Sequence, residues 1–242
     1  MTCSRARRRS SSAADLARTV CVVGAGPAGL VSAKTLLGAG LEVDCLEMSP
    51  EIGGHWVIDN PNGRSAAYRS LETNTTLAMS RLSDYEMPAD WPDFPGHARV
   101  REWFESYVDA FGFRERIRLH SEVLSAQPLA PSGWRVEVRT ANGTIARPRY
   151  DALVACSGNY WSPRAPAIPG EFEGEQLHAQ RYRDPWTPVA MRGKRVLVVG
   201  IGNTGCELAC EIAQAGAEAV FVCARSGTWI MPKRIDGRPA AA

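Results

Sequence analysis

The chain has 242 residues, a formal net charge of +2 and 45% apolar residues, enough for one large core or two modest ones. Five of its basic residues (Arg5, Arg7, Arg8, Arg9, Arg18) fall in the first 18 positions against one acid, Asp15, so the remainder is slightly acidic and a nucleic-acid partner is not expected. Its 7 cysteines lack metal-ligand spacing and read as buried thiols, no metal site is expected, and no window nears the roughly 18 to 20 apolar residues of a membrane span, so a cytoplasmic protein is expected.

Residues 1–18, rich in Arg, Ser and Ala, read as a disordered basic tail. Val20 to Val23 predict a strand, followed by the turn Gly24-x-Gly26-x-x-Gly29, a helix with Pro27 in its first turn and Gly40 as its stop, and a second strand from Leu41 to Glu47. Residues 50–96 carry no sustained apolar period and read as a long loop region, a length usually kept for function. Apolar residues at 100, 103, 104, 107, 108 and 111 predict a helix stopped by Gly112. Alternation at Trp134, Val136 and Val138 with Asn142-Gly143 as a turn predicts a small antiparallel meander, and 152–156 reads as a buried strand.

Pro163, Pro166 and Pro169 make a stiff linker where a domain boundary is expected. Beyond it, 194–225 repeat the plan: strand, Gly200-x-Gly202-x-x-Gly205, a helix with Cys206, Ala209, Ile212 and Ala213 on its inner side, and a strand from Ala219 to Cys223. The chain stops before a sheet of ordinary width is complete, and 238–242 read as a tail. The expected fold is α/β with two Rossmann-like dinucleotide-binding domains, an FAD domain over 19–165 and a truncated NADPH domain over 166–242.

Two such turns imply two dinucleotides, and the usual reason to hold both is to pass a hydride from a nicotinamide to a flavin. At the first, Gly24, Gly26 and Gly29 permit a tight bend, close approach of backbone to a pyrophosphate, and close packing of helix on strand, with Pro27 and Ala28 opening the helix. Glu47, 18 residues past Gly29, is placed to accept hydrogen bonds from ribose hydroxyls. Gly54 and Trp56, in Gly53-Gly54-His55-Trp56, suit either a loop closing over the ligand or an ordinary turn with a packed tryptophan. The second turn holds Asn203 and Thr204 between Gly202 and Gly205, and 20 residues past Gly205 stands Arg225. A guanidinium there pairs with a 2′-phosphate that a carboxylate would repel, so NADPH is expected over NADH, with Ser226 adding a hydrogen bond.

Phe172-x-Gly174-x-x-x-His178-x-x-x-Tyr182 fills every fixed position of a signature carried by flavin-containing monooxygenases. With Ser70 to Asn74, Asp84-Tyr85, Pro88, Asp90 and Pro92-Asp93-Phe94, and both glycine turns, the chain resembles that family over nearly all of 20–235, as the N-terminal part of a usually longer chain. The resemblance implies that NADPH reduces FAD, that the reduced flavin adds O2 at C4a, and that the hydroperoxide passes its distal oxygen to an amine nitrogen or sulfide sulfur. It assigns the catalytic contact to Asn74, whose amide donates and accepts without a titratable proton, although Asn74 also suits a turn. His178 is expected to be a structural, hydrogen-bonding histidine, with Phe172 and Tyr182 as packing residues. Leu77 and Glu86 depart from the family pattern, and Tyr182 stands where Baeyer–Villiger monooxygenases usually carry Trp. The alternatives are such a Baeyer–Villiger enzyme and a truncated, catalytically inactive nucleotide-binding fragment. A disulfide reductase would need a close redox pair, which Cys206 and Cys210, four apart on one helix, do not supply. The expected partners are a small amine or sulfide and O2, and a homo-oligomer is compatible with this reading.

Overall fold

The computed structural model describes residues 18–240, so the expected basic tail lies outside the described residues except for Arg18. The chain divides into two compact units, one of 18–48 with 113–156 and the other of 49–112 with 157–240. Compactness thus groups 49–112 with the later part of the chain, whereas the sequence places those residues in a continuous stretch over 19–165.

In the first unit β1 (Thr19–Val23), α1 (Pro27–Gly38) and β2 (Glu42–Leu46) form the expected βαβ start. Two further strands, β3 (Ile117–Arg118) and, after the meander, β8 (Ala152–Ala155), complete a parallel sheet in the order β3-β2-β1-β8. Strand β1 is central, with Val22 opposite Cys45 on one side and Val154 on the other, which is why its apolar residues run without alternation. At the end of α1, Gly40 takes a positive φ of 81° and donates to the Leu37 carbonyl at 2.9 Å, the glycine stop expected from sequence. Asp151 binds the start of β1: its carboxylate accepts from the Thr19 and Arg18 backbone amides and the Thr19 hydroxyl, all at 2.9 Å, and these bonds hold its carboxyl below the ordinary range.

The meander comprises β4 (Glu122–Pro128), β5 (Trp134–Arg139), β6 (Ile145–Ala146) and β7 (Arg149–Tyr150), all antiparallel. Asn142-Gly143 makes its turn, with Gly143 at φ 81°. Val136, Val138 and Tyr150 from this layer bury against Cys21 and Leu46 of the parallel sheet, one core joining two layers. Tyr150 donates its hydroxyl to Asp44 at 2.8 Å.

In the second unit 49–96 are ordered but mostly irregular, with a 3-10 turn at Gly54–Trp56 and one short helix, α2 (Leu77–Ser80). Helix α3 (His97–Ala110) buries Val100, Trp103, Phe104, Tyr107 and Val108, the expected stripe, while Phe111 is left at its C-cap. Strands β9 (Arg195–Val199) and β10 (Ala219–Cys223) pair in parallel with α4 (Asn203–Gln214) between them. The core gathers Ala67, Tyr68 and Leu71 from the loop region, Tyr182 and Met191, and Leu208 and Ile212 of α4. The inner side of α4 is therefore Leu208 and Ile212, and of the four residues expected there Ala213 is exposed. Residues 234–239 form a hairpin of β11 (Arg234–Ile235) and β12 (Arg238–Pro239), so Arg238 and Pro239, expected in a tail, make its second strand. Asp236 and Gly237 both take positive φ at its turn, the mirror-image geometry that an Asp-Gly pair favours.

Candidate functional site

The first turn is shaped by steric exclusion. A β-carbon on Gly29 would lie 1.8 Å from the Gly24 carbonyl oxygen, so helix α1 can leave β1 this tightly only with glycine at 29. Gly24 takes φ 100° and donates its amide to the Leu46 carbonyl at 2.8 Å, fixing the turn to the end of β2. Gly26 is the N-cap of α1, no side chain caps that end, and its first turn holds no acid. Amides and dipole there favour an anion, and Pro27 costs the helix no bond at its first position. Ala28 is exposed beside them. Glu47 is only 7% exposed, and its carboxylate accepts from the Ala25 amide at 2.7 Å. The acid expected to meet a ribose thus also holds the glycine turn in shape.

The second turn repeats this construction in the second unit. A β-carbon on Gly205 would lie 2.3 Å from the Gly200 carbonyl oxygen, Gly200 takes φ 115°, and its amide donates to the Cys223 carbonyl at 2.8 Å. Gly202 caps α4 with no side-chain bond and no acid in the first turn. Gly202, Asn203 and Thr204 are exposed, as are Arg225 and Ser226 just beyond β10. Within this unit a cavity of about 660 Å³ brings Asn74, from the loop region, to the same walls as Gly202 and Asn203; Arg225 and Ser226 are not among its walls.

Gly53 takes φ 114°, and a β-carbon there would press on Arg101 at 3.1 Å and Val57 at 3.2 Å, so local packing accounts for that glycine. Gly54 (φ 55°) opens the 3-10 turn, and Trp56 packs on the core cluster of Tyr68, Leu71 and Tyr182. Between them His55 keeps a buried Nδ1 with no hydrogen-bond partner, its ring 4.9 Å from that of Tyr160, and burial holds its pKa below the ordinary value.

In the 172–182 signature, His178 accepts from the Gln180 amide at 3.1 Å and caps the short 3-10 turn Ala179–Arg181, the structural role expected of it. Tyr182 is buried and donates to Glu211 at 2.8 Å. Phe172, expected to pack, is 68% exposed; its ring lies where Gly174 would carry a β-carbon, 2.5 Å away. Four residues escaped the sequence reading: Tyr68, which donates to Glu207; Glu207 and Glu211, one helical turn apart on α4; and Lys233, which pairs with Glu72 at 2.7 Å. Burial first, then the bonded carboxylate, pushes both phenols above their ordinary range, so they stay donors. The available signal was the spacing of Glu207 and Glu211 beside the buried pair Leu208 and Ile212.

Of the cysteines, Cys21 and Cys45 are buried as expected, while Cys210 and Cys223 are exposed. Among the described residues no group of three or more His, Cys, Asp or Glu side chains is placed to hold a metal ion, and no helix is long and apolar enough to cross a membrane.

Comparison with known proteins places this geometry. The profile of the "FMO-like: Flavin-binding monooxygenase-like" family matches residues 17–240. The chain is 37% identical over 235 residues to dimethylaniline monooxygenase [N-oxide-forming] 2 of Mus musculus, covering 93% of this chain and 43% of that protein. It is 36% identical to flavin-containing monooxygenase 2 of Homo sapiens over the same shares of each chain. The chain therefore spans less than half the length of these relatives. Among solved structures it is similar to the S-allyl-L-cysteine S-oxygenase of Allium sativum, with a TM-score of 0.80 and 27% identity over 91% of this chain and 54% of that one. It is also similar to an oxidized steroid monooxygenase bound to NADP, with a TM-score of 0.63 and 28% identity over 91% of this chain and 41% of that one. With the matched profile spanning both glycine turns and the signature between them, the chain belongs to the flavin-binding monooxygenase-like family.

Proposed function

We propose that this chain binds FAD through Gly24, Gly26 and Gly29 and NADPH through Gly200, Gly202 and Gly205, in a monooxygenase that oxygenates the nitrogen or sulfur of a small amine or sulfide. The observation that carries this reading is the repeated turn, in which a glycine carbonyl occupies the space of a β-carbon five residues on and an uncapped helix N-terminus follows. Both turns fit a dinucleotide: their backbone can approach a pyrophosphate, and no acid in the first helical turn opposes it. Of the relatives, the mouse protein is named for N-oxide formation and the garlic one for S-oxygenation, which supports a soft nucleophile as substrate.

When bound, FAD takes a hydride from NADPH and activates O2 for transfer of one oxygen atom. The chain's own residues bind and orient. Glu47, through its bond to Ala25, keeps the first turn shaped for phosphate while presenting a carboxylate at the end of β2. Asn74 brings a neutral amide to the cavity of the second turn, able to donate and accept without changing charge. Arg225 offers its guanidinium to a 2′-phosphate and Ser226 a hydroxyl. In the loop region Gly54 and Trp56 bound the 3-10 turn, and Thr204 lies on the exposed opening of α4. A second reading, nucleotide binding without turnover, is favoured by the uncovered apolar face of β9 and β10, where Leu197, Val199 and Phe221 are 59%, 51% and 49% exposed.

The deciding experiment is the visible absorbance of the purified 242-residue chain before and after anaerobic NADPH. A yellow protein that bleaches and recovers in air supports the monooxygenase reading; a yellow protein that does not bleach supports the second; a colourless protein that cannot be loaded with FAD overturns both.

A further inference from the structure

Gly202 and Asn203, proposed above to hold a pyrophosphate, share their cavity with Glu72, Glu207 and Glu211. Free carboxylates beside a helix N-terminus would oppose the anion that this end otherwise favours. Each of the three meets a donor. Lys233 pairs with Glu72 at 2.7 Å and lies 3.7 Å from Glu207, Tyr68 donates its hydroxyl to Glu207, and Tyr182 donates to Glu211 at 2.8 Å.

Helix geometry separates the two carboxylates of α4. Asn203, Glu207 and Glu211 stand at i, i+4 and i+8, on one face, where side chains lean toward the helix N-terminus. Glu207 is therefore one turn, about 6 Å, behind the opening of α4, and Glu211 is two turns behind it. Charges about 6 Å apart still interact at a protein surface, whereas at twice that distance they lie beyond the Debye length of about 10 Å at 0.1 M salt. The direction of the Glu207 carboxylate is thus the one that matters to a phosphate. Its side chain is 23% exposed and has solvent to swing into, so its partners decide where it points. Those partners are fixed. Tyr68 is 2% exposed, packs in the core with Leu71 and Leu208, and meets the Tyr182 ring edge-on at 6.2 Å. Lys233 also donates to the Thr73 carbonyl at 3.2 Å.

Resting on the NADPH reading above, we propose that Tyr68 is a positioning residue for the coenzyme's pyrophosphate: with Lys233 it holds the Glu207 carboxylate back from the N-terminus of α4 and keeps that helix end open to an anion. Tyr68 acts through Glu207 without touching the phosphate. Tyr182 makes the same kind of bond to Glu211 one turn further away, where it serves the fold alone.

The test measures NADPH binding to the full chain by calorimetry and by coenzyme fluorescence, with the melting temperature read beside it. Tyr68→Phe is expected to raise the NADPH dissociation constant about tenfold at about 0.1 M salt, and only about twofold at about 1 M, where the freed charge is screened. Adding Glu207→Gln to Tyr68→Phe is expected to restore native affinity within about twofold, because the freed group is then neutral. Tyr182→Phe is expected to stay within about twofold of the native chain, and Glu207→Gln alone to bind at least as tightly as it. A loss in Tyr68→Phe that persists in the double variant, or that Tyr182→Phe matches, assigns Tyr68 to packing and overturns the proposal, as does native affinity in Tyr68→Phe. If Tyr68→Phe does not fold, Glu207→Gln alone decides: weaker NADPH binding overturns the proposal, and equal or tighter binding supports it. Each of these outcomes leaves the NADPH reading standing, since the native chain binds. No binding by the native chain with either method defeats the NADPH reading itself, and the role of Tyr68 with it.

Discussion

At the scale of single residues, environment separates side chains that composition treats alike. Burial, with Asp44 adding repulsion, pushes the Cys21 thiol up to about 12, and burial with Glu47 nearby does the same for Cys45. Both therefore stay protonated at pH 8, whereas Cys210 and Cys223 are the exposed thiols among the described residues and are open to a reagent. Brief treatment of the native chain with iodoacetamide, read by peptide mass spectrometry, is expected to label Cys210 and Cys223 and spare Cys21 and Cys45. Because thiols of an unfolded chain ionise near about 8.5, these two stabilise the fold fully below that pH and progressively less as pH rises toward 12; the urea midpoint is expected to fall between pH 8 and 10. Arg225 is exposed, so its contribution is specific to the ligand and not to the fold. Arg225→Ala is expected to weaken NADPH roughly 10-fold to 100-fold, at about 1.4 kcal/mol per decade, with NADH nearly unchanged and the melting temperature held. Equal losses for both coenzymes would remove the phosphate-pairing argument. Arg225 was singled out in the sequence by its spacing from Gly205 and Asn74 by the family resemblance, but the Tyr68–Glu207 and Tyr182–Glu211 bonds were not legible there, because each joins residues brought near only by folding.

At the scale of elements, the two βαβ units show why a glycine pattern is informative only with its flanks. Gly29 and Gly38 both lie in α1, yet they answer to different physics. A β-carbon at 29 would meet the Gly24 carbonyl oxygen at 1.8 Å, whereas at 38 it would meet nothing within 4 Å. Gly29→Ala is expected to lower stability by roughly 1 to 3 kcal/mol as the turn is forced open, and to lose FAD with it. Gly38→Ala is expected to raise stability by a few tenths to about 1 kcal/mol, since it only narrows the unfolded ensemble. Urea denaturation of the two variants checks both signs at once. Helix α3 and the meander were readable because apolar spacing records which face is buried, and α1 because Pro27 and Gly40 mark its two ends. The inner side of α4 was misread at Ala213 because small residues fit either face of a helix, and packing of Leu208 and Ile212 on Tyr68 and Tyr182 settles the matter. The 234–239 hairpin was overlooked although Asp236-Gly237 is a turn signal, because its two strands of two residues each leave no alternation to read.

At the scale of the whole molecule, the two compact units differ in how completely they cover their parallel strands. In the first, β1 has neighbours on both sides and apolar layers that leave Val20, Cys21 and Val22 fully buried. In the second, α4 covers one face of β9 and β10, and on the other Leu197, Val199 and Phe221 remain exposed among the described residues. Such a face binds apolar dyes and promotes association. The native chain is therefore expected to enhance 8-anilinonaphthalene-1-sulfonate fluorescence and to self-associate on gel filtration at high concentration, and Phe221→Lys to reduce both without lowering the melting temperature; an unchanged dye signal would mean that this face is covered in solution. The sequence by itself determined the two strand–turn–helix–strand repeats, the glycines that make their turns and the signature between them, because these are local: a positive φ, a missing β-carbon or an apolar period is written in consecutive residues. Only the tertiary structure decided that Glu47 holds its own turn through Ala25, that Asn74 shares a cavity with Gly202 and Asn203, and that 49–112 join the later part of the chain, because those arrangements depend on loop closure and side-chain packing between residues far apart in the sequence.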